Sequence, residues 1–314
     1  MPEPVPWPAA WQRALYGPSG FYRQPDGPAA HFTTATHGGA GALLAEGLWG
    51  WADRLGVDGI VDVGAGRGEL LHHLYAAAPH RPLVGLDVVA RPLTLPAPVG
   101  WTVSPGGATL PREALPRNHL VVAHEWLDVV PCVIGEVASD GSLREVLVDP
   151  ESGAETLGYA LSNADHGWCQ RFWTSTVGSD AEVGDRVEVG RARDDAWLAL
   201  LHRAEGGPAI AVDYGHTAGD RPAGGTLAAY RAGHRVDPVP DGSCDLTAHV
   251  AVDSLQQTER LRQRDALPAT GPPEHELARR DPAAYLAAAA RRAESGALRR
   301  AGGFGDFWWV LWAP

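Results

Sequence analysis

The chain has 314 residues and a formal net charge of −12, enough for one large domain or one domain with an insertion. That acidic balance argues against a general affinity for nucleic acid or for an anionic membrane surface. All 26 basic residues are arginine, and the missing lysine excludes a pyridoxal-phosphate Schiff-base enzyme, a Walker-type ATPase and a conventional protein kinase, each of which needs a specific amine.

A hydrophobic content of 45% with twelve Trp is ample for a core. Three cysteines, Cys132, Cys169 and Cys244, show neither a disulfide framework nor metal spacing. The N-terminus lacks an apolar signal core, and no uninterrupted run of about 18 apolar residues occurs. The chain therefore reads as soluble and cytoplasmic, with no membrane partner. Its Ala, Gly, Pro and Arg usage points to a GC-rich bacterial genome.

Residues 1–40 are rich in Pro, Gly and aromatics and read as a structured loop or lid. From Gly39 to Leu55 the spacing of Leu43, Leu44, Leu48, Trp51 and Leu55 predicts a helix. Residues 60–63 form an apolar run, Gly64 to Gly68 a glycine turn, and Leu70, Leu71 and Leu74 open a helix: strand, turn, helix. Leu83 to Asp87 is a second strand, Val99 to Val103 a short third, and His119 to Ala123 a buried fourth. Cys132–Val137 and Leu143–Val148 read as a hairpin across an Asp-Gly turn. Asp149 to Asp185 is a weakly patterned insertion carrying Trp168, Phe172 and Trp173. Asp194 is expected to cap a helix through Arg203, and Ala209 to Val212 is a fifth strand. Thr217 to Asp245 reads as a long loop, and Thr247 to Gln263 as a helix. Asp281-Pro282 starts a helix running to about Arg300, and Phe304 to Trp312 closes the chain as a strand. A sixth strand has no clear place. The expected units are 1–56 (lid and helix), 57–131 (cofactor half), 132–190 (inserted hairpin and helical subdomain) and 191–314 (second half, with a substrate loop over 217–245).

The glycine turn points to a ligand. Glycine permits positive φ and close backbone approach, and the N–H groups of the new helix face the turn. Asp87, twenty-three positions after Gly64, can accept hydrogen bonds from both ribose hydroxyls. The spacing is nevertheless G-x-G-x-G, with Glu69 where the dinucleotide fingerprint needs a small residue. Asp62 and Glu69 would also repel a pyrophosphate. S-adenosyl-L-methionine, with an ammonium, a sulfonium and no phosphate, fits better, and an NAD-linked oxidoreductase is disfavoured. The cofactor set is Asp62, Gly64, Ala65, Gly66, Gly68, Asp87 and, by position, Trp126.

Ligands of open parallel sheets lie beyond the carboxyl ends of the strands. Those ends carry Asp62, Asp87, His124 with Glu125 and Asp128, and Asp213 with Tyr214 and His216. Methyl transfer chiefly needs alignment and removal of a proton. Glu125 and Asp128 could grip a guanidinium by bidentate hydrogen bonds, and His124 and His216 are alternative bases. The catalytic candidates are Glu125, Asp128 and His124; the substrate side is expected to hold Tyr22, Thr34, Asp213, Tyr214, His216 and Tyr230. No metal site is expected.

Seven segments in order make the chain resemble the MidA-like methyltransferases, which include a mitochondrial complex I assembly factor that methylates a protein arginine. They are Gly20-Phe21-Tyr22, Phe32-Thr33-Thr34-Ala35, Asp62 to Gly68, Glu125-Trp126-Leu127-Asp128 with Pro131, Asp213-Tyr214-Gly215, Gly225-Thr226-Leu227 with Tyr230-Arg231, and Asp245 to Val250. The resemblance implies an α/β, Rossmann-like class I methyltransferase fold with a seven-stranded, mostly parallel sheet, an inserted subdomain, an N-terminal lid, and S-adenosyl-L-methionine as cofactor. It departs from the family pattern at His124, where Asn is usual, and at Thr36-His37, where Pro-Glu is usual. The expected activity is N-methylation of an arginine or similar side chain of a protein or peptide. The alternatives are methylation of a small molecule or modified peptide in a biosynthetic pathway, and a cofactor-binding assembly factor with reduced turnover.

Overall fold

The computed structural model describes residues 3–24, 36, 38–173 and 182–314. Seven strands form the main sheet: β1 (Gly59–Val63), β2 (Leu83–Asp87), β3 (Gly100–Val103), β4 (His119–His124), β5 (Ala209–Asp213), β6 (Glu259–Arg262) and β7 (Trp308–Trp312). Their spatial order is β6-β7-β5-β4-β1-β2-β3. β7 runs antiparallel to both neighbours, and the other pairs are parallel. The order reverses between β1 and β4, so the segments after those two strands diverge and leave a crevice.

The strands alternate between two apolar layers, as the period of two demands. Ile60, Leu120, Val122, Ile210 and Val212 face one layer, covered by α1 (Gly38–Arg54) and α2 (Glu69–Ala77). Val61, Val63, Val121, Ala123, Ala209 and Ala211 face the other, with Trp197 and Leu200 of α3 (Arg191–Arg203). Burying each such side chain contributes about 1.5–3 kcal/mol, so the strands beneath the crevice are the rigid part of the molecule. Among the described residues, no helix is long and apolar enough to cross a membrane.

A second, five-stranded antiparallel sheet holds the expected hairpin (Val133–Val137 and Leu143–Val148) with Val5–Pro6, Glu155–Ala160 and Arg186–Val189. The weakly patterned insertion thus supplies a strand and a helix, Asn163–Phe172, whose N-cap Ser162 accepts the Asp165 N–H.

Several expectations need correction. The aromatic N-terminus is partly helical, at Trp7–Tyr16, because Trp7, Trp11 and Leu15 recur on one buried face. Thr247 to Gln263 is not a helix: it contains Val250–Ala251 and β6, and only Gln263–Ala266 is helical. Ala248, Val250, Ala251 and Val252 are all buried, a short, nearly continuous buried run that suits extended backbone. β6, the sixth strand, is charge-rich because it lies at a sheet edge. The loop 217–245 contains Ala228–Arg231 and His234–Val236, which pair with each other, and Ala228–Arg231 also pairs with Asp245–Thr247. Asp194 is not a cap. α3 begins at Arg191, and the Asp194 carboxylate instead accepts from Trp168 Nε1 at 2.7 Å and Ser254 Oγ at 2.5 Å. The terminal strand starts at Trp308, after a single helical turn over Phe304–Asp306. Thr34 and His37 lie outside the described residues.

Candidate active site

A cavity of about 500 Å³ opens at the crevice. Its first wall is the turn after β1. Gly64, Gly66 and Gly68 all take positive φ, 74°, 57° and 82°, values that side chains with a Cβ rarely adopt. A Cβ on Gly64 would also stand 3.2 Å from the Trp126 ring. Asp87 at the end of β2 accepts the Gly66 N–H at 2.9 Å and the Val89 N–H at 3.1 Å, so one carboxylate braces the turn and faces the cavity.

The second wall follows β4. Glu125 takes φ 50°, unusual for a residue with a side chain and typical of functional turns; its N–H is held by the Val212 carbonyl at 2.9 Å. Trp126 then lies under the glycine turn, and Asp128 points into the cavity. The Leu127 and Asp128 N–H groups both donate to Asp213 Oδ2 at 3.1 Å. Beneath, Arg193 is 1% exposed. Its guanidinium donates to the carbonyls of Asp128 (2.7 Å), Val130 (3.1 Å), Ala248 (3.0 Å) and His249 (2.8 Å). One buried cation thereby joins the segment after β4 to the segment carrying Thr247 and His249.

The third wall comes from sequence-distant pieces. Tyr214 OH bonds both Asp128 Oδ2 and Thr247 Oγ1, and Thr247 Oγ1 donates to Asp128 Oδ2 at 2.7 Å. Tyr22 OH donates to Asp245 Oδ1 at 2.6 Å. Tyr16, His249, Tyr230 and Phe307 complete this end.

The electrostatics are one-sided. Burial, then the neighbouring charges of Asp87 and Glu69, push Asp62 up to about 8. Burial raises Asp87 to about 6 and Asp245 to about 7. It also raises Asp128, against the hydrogen bonds of Tyr214 and Thr247 and the charge of Arg193. Asp213 is raised well above the carboxylate range by burial and then by Asp128 and Glu125. Burial pushes His124 down to about 4, so its contact with Glu125, 3.4 Å from Nδ1 to Oε1, is made by a neutral ring at neutral pH. Carboxylates held this close to neutrality relax when a cation enters.

The structure brings together Asp62, Gly64, Ala65, Gly66, Asp87, His124, Glu125, Trp126, Asp128, Tyr22, Tyr214 and Tyr230 around one cavity. Three expected residues do not line it. Gly68 is the left-handed residue that starts α2. Asp213, 2% exposed, is spent on the Leu127 and Asp128 N–H groups and sits behind the wall. His216 also lies behind it, where its Nδ1 accepts from Arg221 Nε at 3.0 Å. Both follow an apolar strand, but their partners draw them inward. Sequence reasoning missed Tyr16, Asp245, Thr247, His249 and Phe307; the Asp-Leu-Thr-Ala-His-Val run was the signal for three of them.

A turn that admits close approach, a carboxylate at the end of β2 and an acidic lining suit a cationic adenosyl cofactor. Residues 94–268 match the family described as "Putative S-adenosyl-L-methionine-dependent methyltransferase". That is more than half of the chain, and the chain belongs to this family. No curated protein matches it by sequence. Two crystal structures of proteins from Burkholderia thailandensis share its fold. One, an uncharacterized protein, is 21% identical with a TM-score of 0.71, over 99% of this chain and 87% of its own. The other, described as a "likely methyl transferase" bound to S-adenosyl-homocysteine, is 21% identical with a TM-score of 0.69, over 99% and 88%. The protein is an S-adenosyl-L-methionine-dependent methyltransferase, and S-adenosyl-L-methionine is its cofactor. The residues present fit that group: Asp62 is buried beside Asp87 and Glu69, whose charges raise it further, and the glycine turn leaves the backbone uncovered.

Proposed function

We propose that this enzyme N-methylates an arginine, or a side chain of similar chemistry, in a protein or peptide. The observation that carries the reading is the acidic far end of the cavity, where Glu125, Asp128 and Asp245 converge among Tyr16, Tyr22, Tyr214 and Tyr230. Carboxylates hold a planar guanidinium by paired, charge-assisted hydrogen bonds, and aromatic faces attract the same cation. A cavity of about 500 Å³ suits the cofactor plus one extended side chain better than the cofactor plus a large planar small molecule. The strand order supports a Rossmann-like class I methyltransferase fold and kinship with the MidA-like proteins, with the N-terminal segment as lid. Arg23, which donates to the Val88 carbonyl at 3.2 Å, and Arg67, which donates to the Gln24 carbonyl at 3.0 Å, tie that segment to the cofactor turn. A bacterial cytoplasmic setting accords with the composition.

In this reading Asp62 draws the cationic amino-acid end of the cofactor, Asp87 takes the ribose, and Trp126 covers the turn. The bound cofactor supplies an activated methyl on sulfur. Glu125 and Asp128 orient the acceptor nitrogen toward that methyl, and Tyr214 with Thr247 keeps Asp128 in one rotamer. Incubation with methyl-labelled cofactor and a host lysate, followed by mass spectrometry, should place label on arginine nitrogen of protein; label confined to small molecules or left on the cofactor defeats the proposal. Glu125→Gln should lower turnover by about 100-fold while its calorimetric affinity for S-adenosyl-homocysteine stays within about twofold of wild type.

A further inference from the structure

Among the described residues three histidines lie at or near the acceptor end, and one of these is built to exchange a proton with a bound nitrogen. His124 lines the cavity, but its side chain is 4% exposed and its Nε2 is sealed from solvent with no hydrogen-bond partner. His216 is behind the wall with Nδ1 engaged by Arg221. His249 is half-buried and lines the cavity. Its backbone is fixed at both polar atoms: its N–H donates to Thr226 Oγ1 at 2.9 Å and its carbonyl accepts from Arg193 Nη1 at 2.8 Å. Its ring stands edge-on to Tyr214, with centroids 5.3 Å apart, and Tyr214 OH is the group that holds Asp128. The imidazole therefore stands beside the carboxylate that would hold the acceptor.

We infer that His249 takes the proton that leaves the acceptor nitrogen as the methyl arrives. The inference rests on the reading of a nitrogen acceptor given above. The nitrogen lone pair forms the new N–C bond while the C–S bond breaks with its electron pair going to sulfur. The N–H bonding pair stays on nitrogen, the proton passes to a ring nitrogen of His249, and it leaves to solvent through the open side of the ring. The groups facing His249 are Tyr214 and His216 from the segment after β5, Asp128 from the segment after β4, Arg193 from α3, Glu188 from the strand Arg186–Val189, and Asp220 from the loop before Ala228. Burial dominates among them and lowers the titration of the ring, so His249 is neutral and able to accept at neutral pH.

The test uses the full chain labelled with ¹⁵N-histidine and ¹⁵N-tryptophan, saturated with S-adenosyl-homocysteine and titrated with methylguanidinium as the acceptor probe. Ring signals are assigned by their loss in His249→Gln and His124→Gln. The His249 signals should move on addition of the probe, and their titration midpoint should fall by about half a pH unit or more, because a neighbouring cation opposes protonation. The Trp126 indole N–H reports whether the cavity is filled. If it moves and His249 does not, or if His124 moves instead, the assignment to His249 is overturned while the nitrogen-acceptor reading stands. If neither responds, both fall together. Methyl transfer into host-lysate protein should drop about 100-fold in His249→Gln with unchanged S-adenosyl-homocysteine affinity; a wild-type rate overturns the inference.

Discussion

The two ends of the cavity are built in opposite ways. The cofactor end is local: Asp62, the glycine turn, Glu69 and Asp87 fall within 26 residues of sequence, on two adjacent parallel strands whose register sets Asp62 beside Gly85. The acceptor end is assembled from afar. Tyr22 reaches Asp245 across 223 positions and Thr247 reaches Asp128 across 119, and the buried Arg193 binds the pieces together. A local turn survives most changes elsewhere in the chain, whereas an assembled wall depends on the group that joins its segments.

That contrast makes Arg193→Met the most damaging change expected. It leaves the carbonyls of Val130, Ala248 and His249 without the Arg193 donor, takes one of two donors from the Asp128 carbonyl, and removes the charge that favours ionised Asp128. We expect a loss of about 3–5 kcal/mol, read by urea denaturation with a circular-dichroism probe; a loss below about 1 kcal/mol would mean that the acceptor end needs no clamp. Asp87→Ala attacks the local end, and should weaken S-adenosyl-homocysteine binding by about 1–3 kcal/mol while also costing some stability, because it releases the Gly66 and Val89 N–H groups. Wild-type affinity in calorimetry would remove Asp87 from the ribose role.

A pH series sharpens the same comparison. Asp62 has its folded pKa raised to about 8, so the folded apo protein holds a proton that the unfolded chain releases near pH 4. The stability this group contributes is present below that value and is lost as pH rises through about 8. Cofactor binding has the opposite sign, since the cationic end prefers the ionised carboxylate. Affinity for S-adenosyl-L-methionine should rise as Asp62 ionises and fall again as the cofactor's α-amino group, with a pKa of about 8, loses its proton, giving a maximum near pH 8, with proton release below that maximum visible in calorimetry across buffers of different ionisation enthalpy. A flat profile would show that Asp62 is already ionised or lies away from the ligand. The smallest expected effect is that of Tyr22→Phe, which removes one hydrogen bond to Asp245. Stability should fall by about 1 kcal/mol, and the substrate KM should rise more than kcat falls; equal loss in both would assign Tyr22 to the chemistry rather than to holding the acceptor end.

Legibility followed the same division. The run from residue 60 to Asp87 announced strand, turn, helix and strand, because apolar period and glycine chemistry act over neighbouring residues. The hairpin around Ser139-Asp140-Gly141 and the Asp281-Pro282 helix start were readable for the same reason, and Asp281 does cap Ala284 at 3.0 Å. The helix expected over Thr247 to Gln263 failed because a charged edge strand such as Glu259-Arg260-Leu261-Arg262 owes its form to its neighbour β7. Asp213 and His216 misled because a polar residue after a buried strand can serve the cavity or the wall behind it, and only their partners decide which.

By itself the sequence determined the succession of buried strands, the phosphate-averse turn and hence a cationic adenosyl cofactor, all of which depend on residues close together in the chain. Tertiary structure alone decided which acids and which histidines line the cavity. Those choices arise from contacts between separate segments, 86 positions apart for Tyr214 with Asp128 and 119 for Thr247 with Asp128, and no local propensity encodes the side of a wall on which a side chain comes to rest.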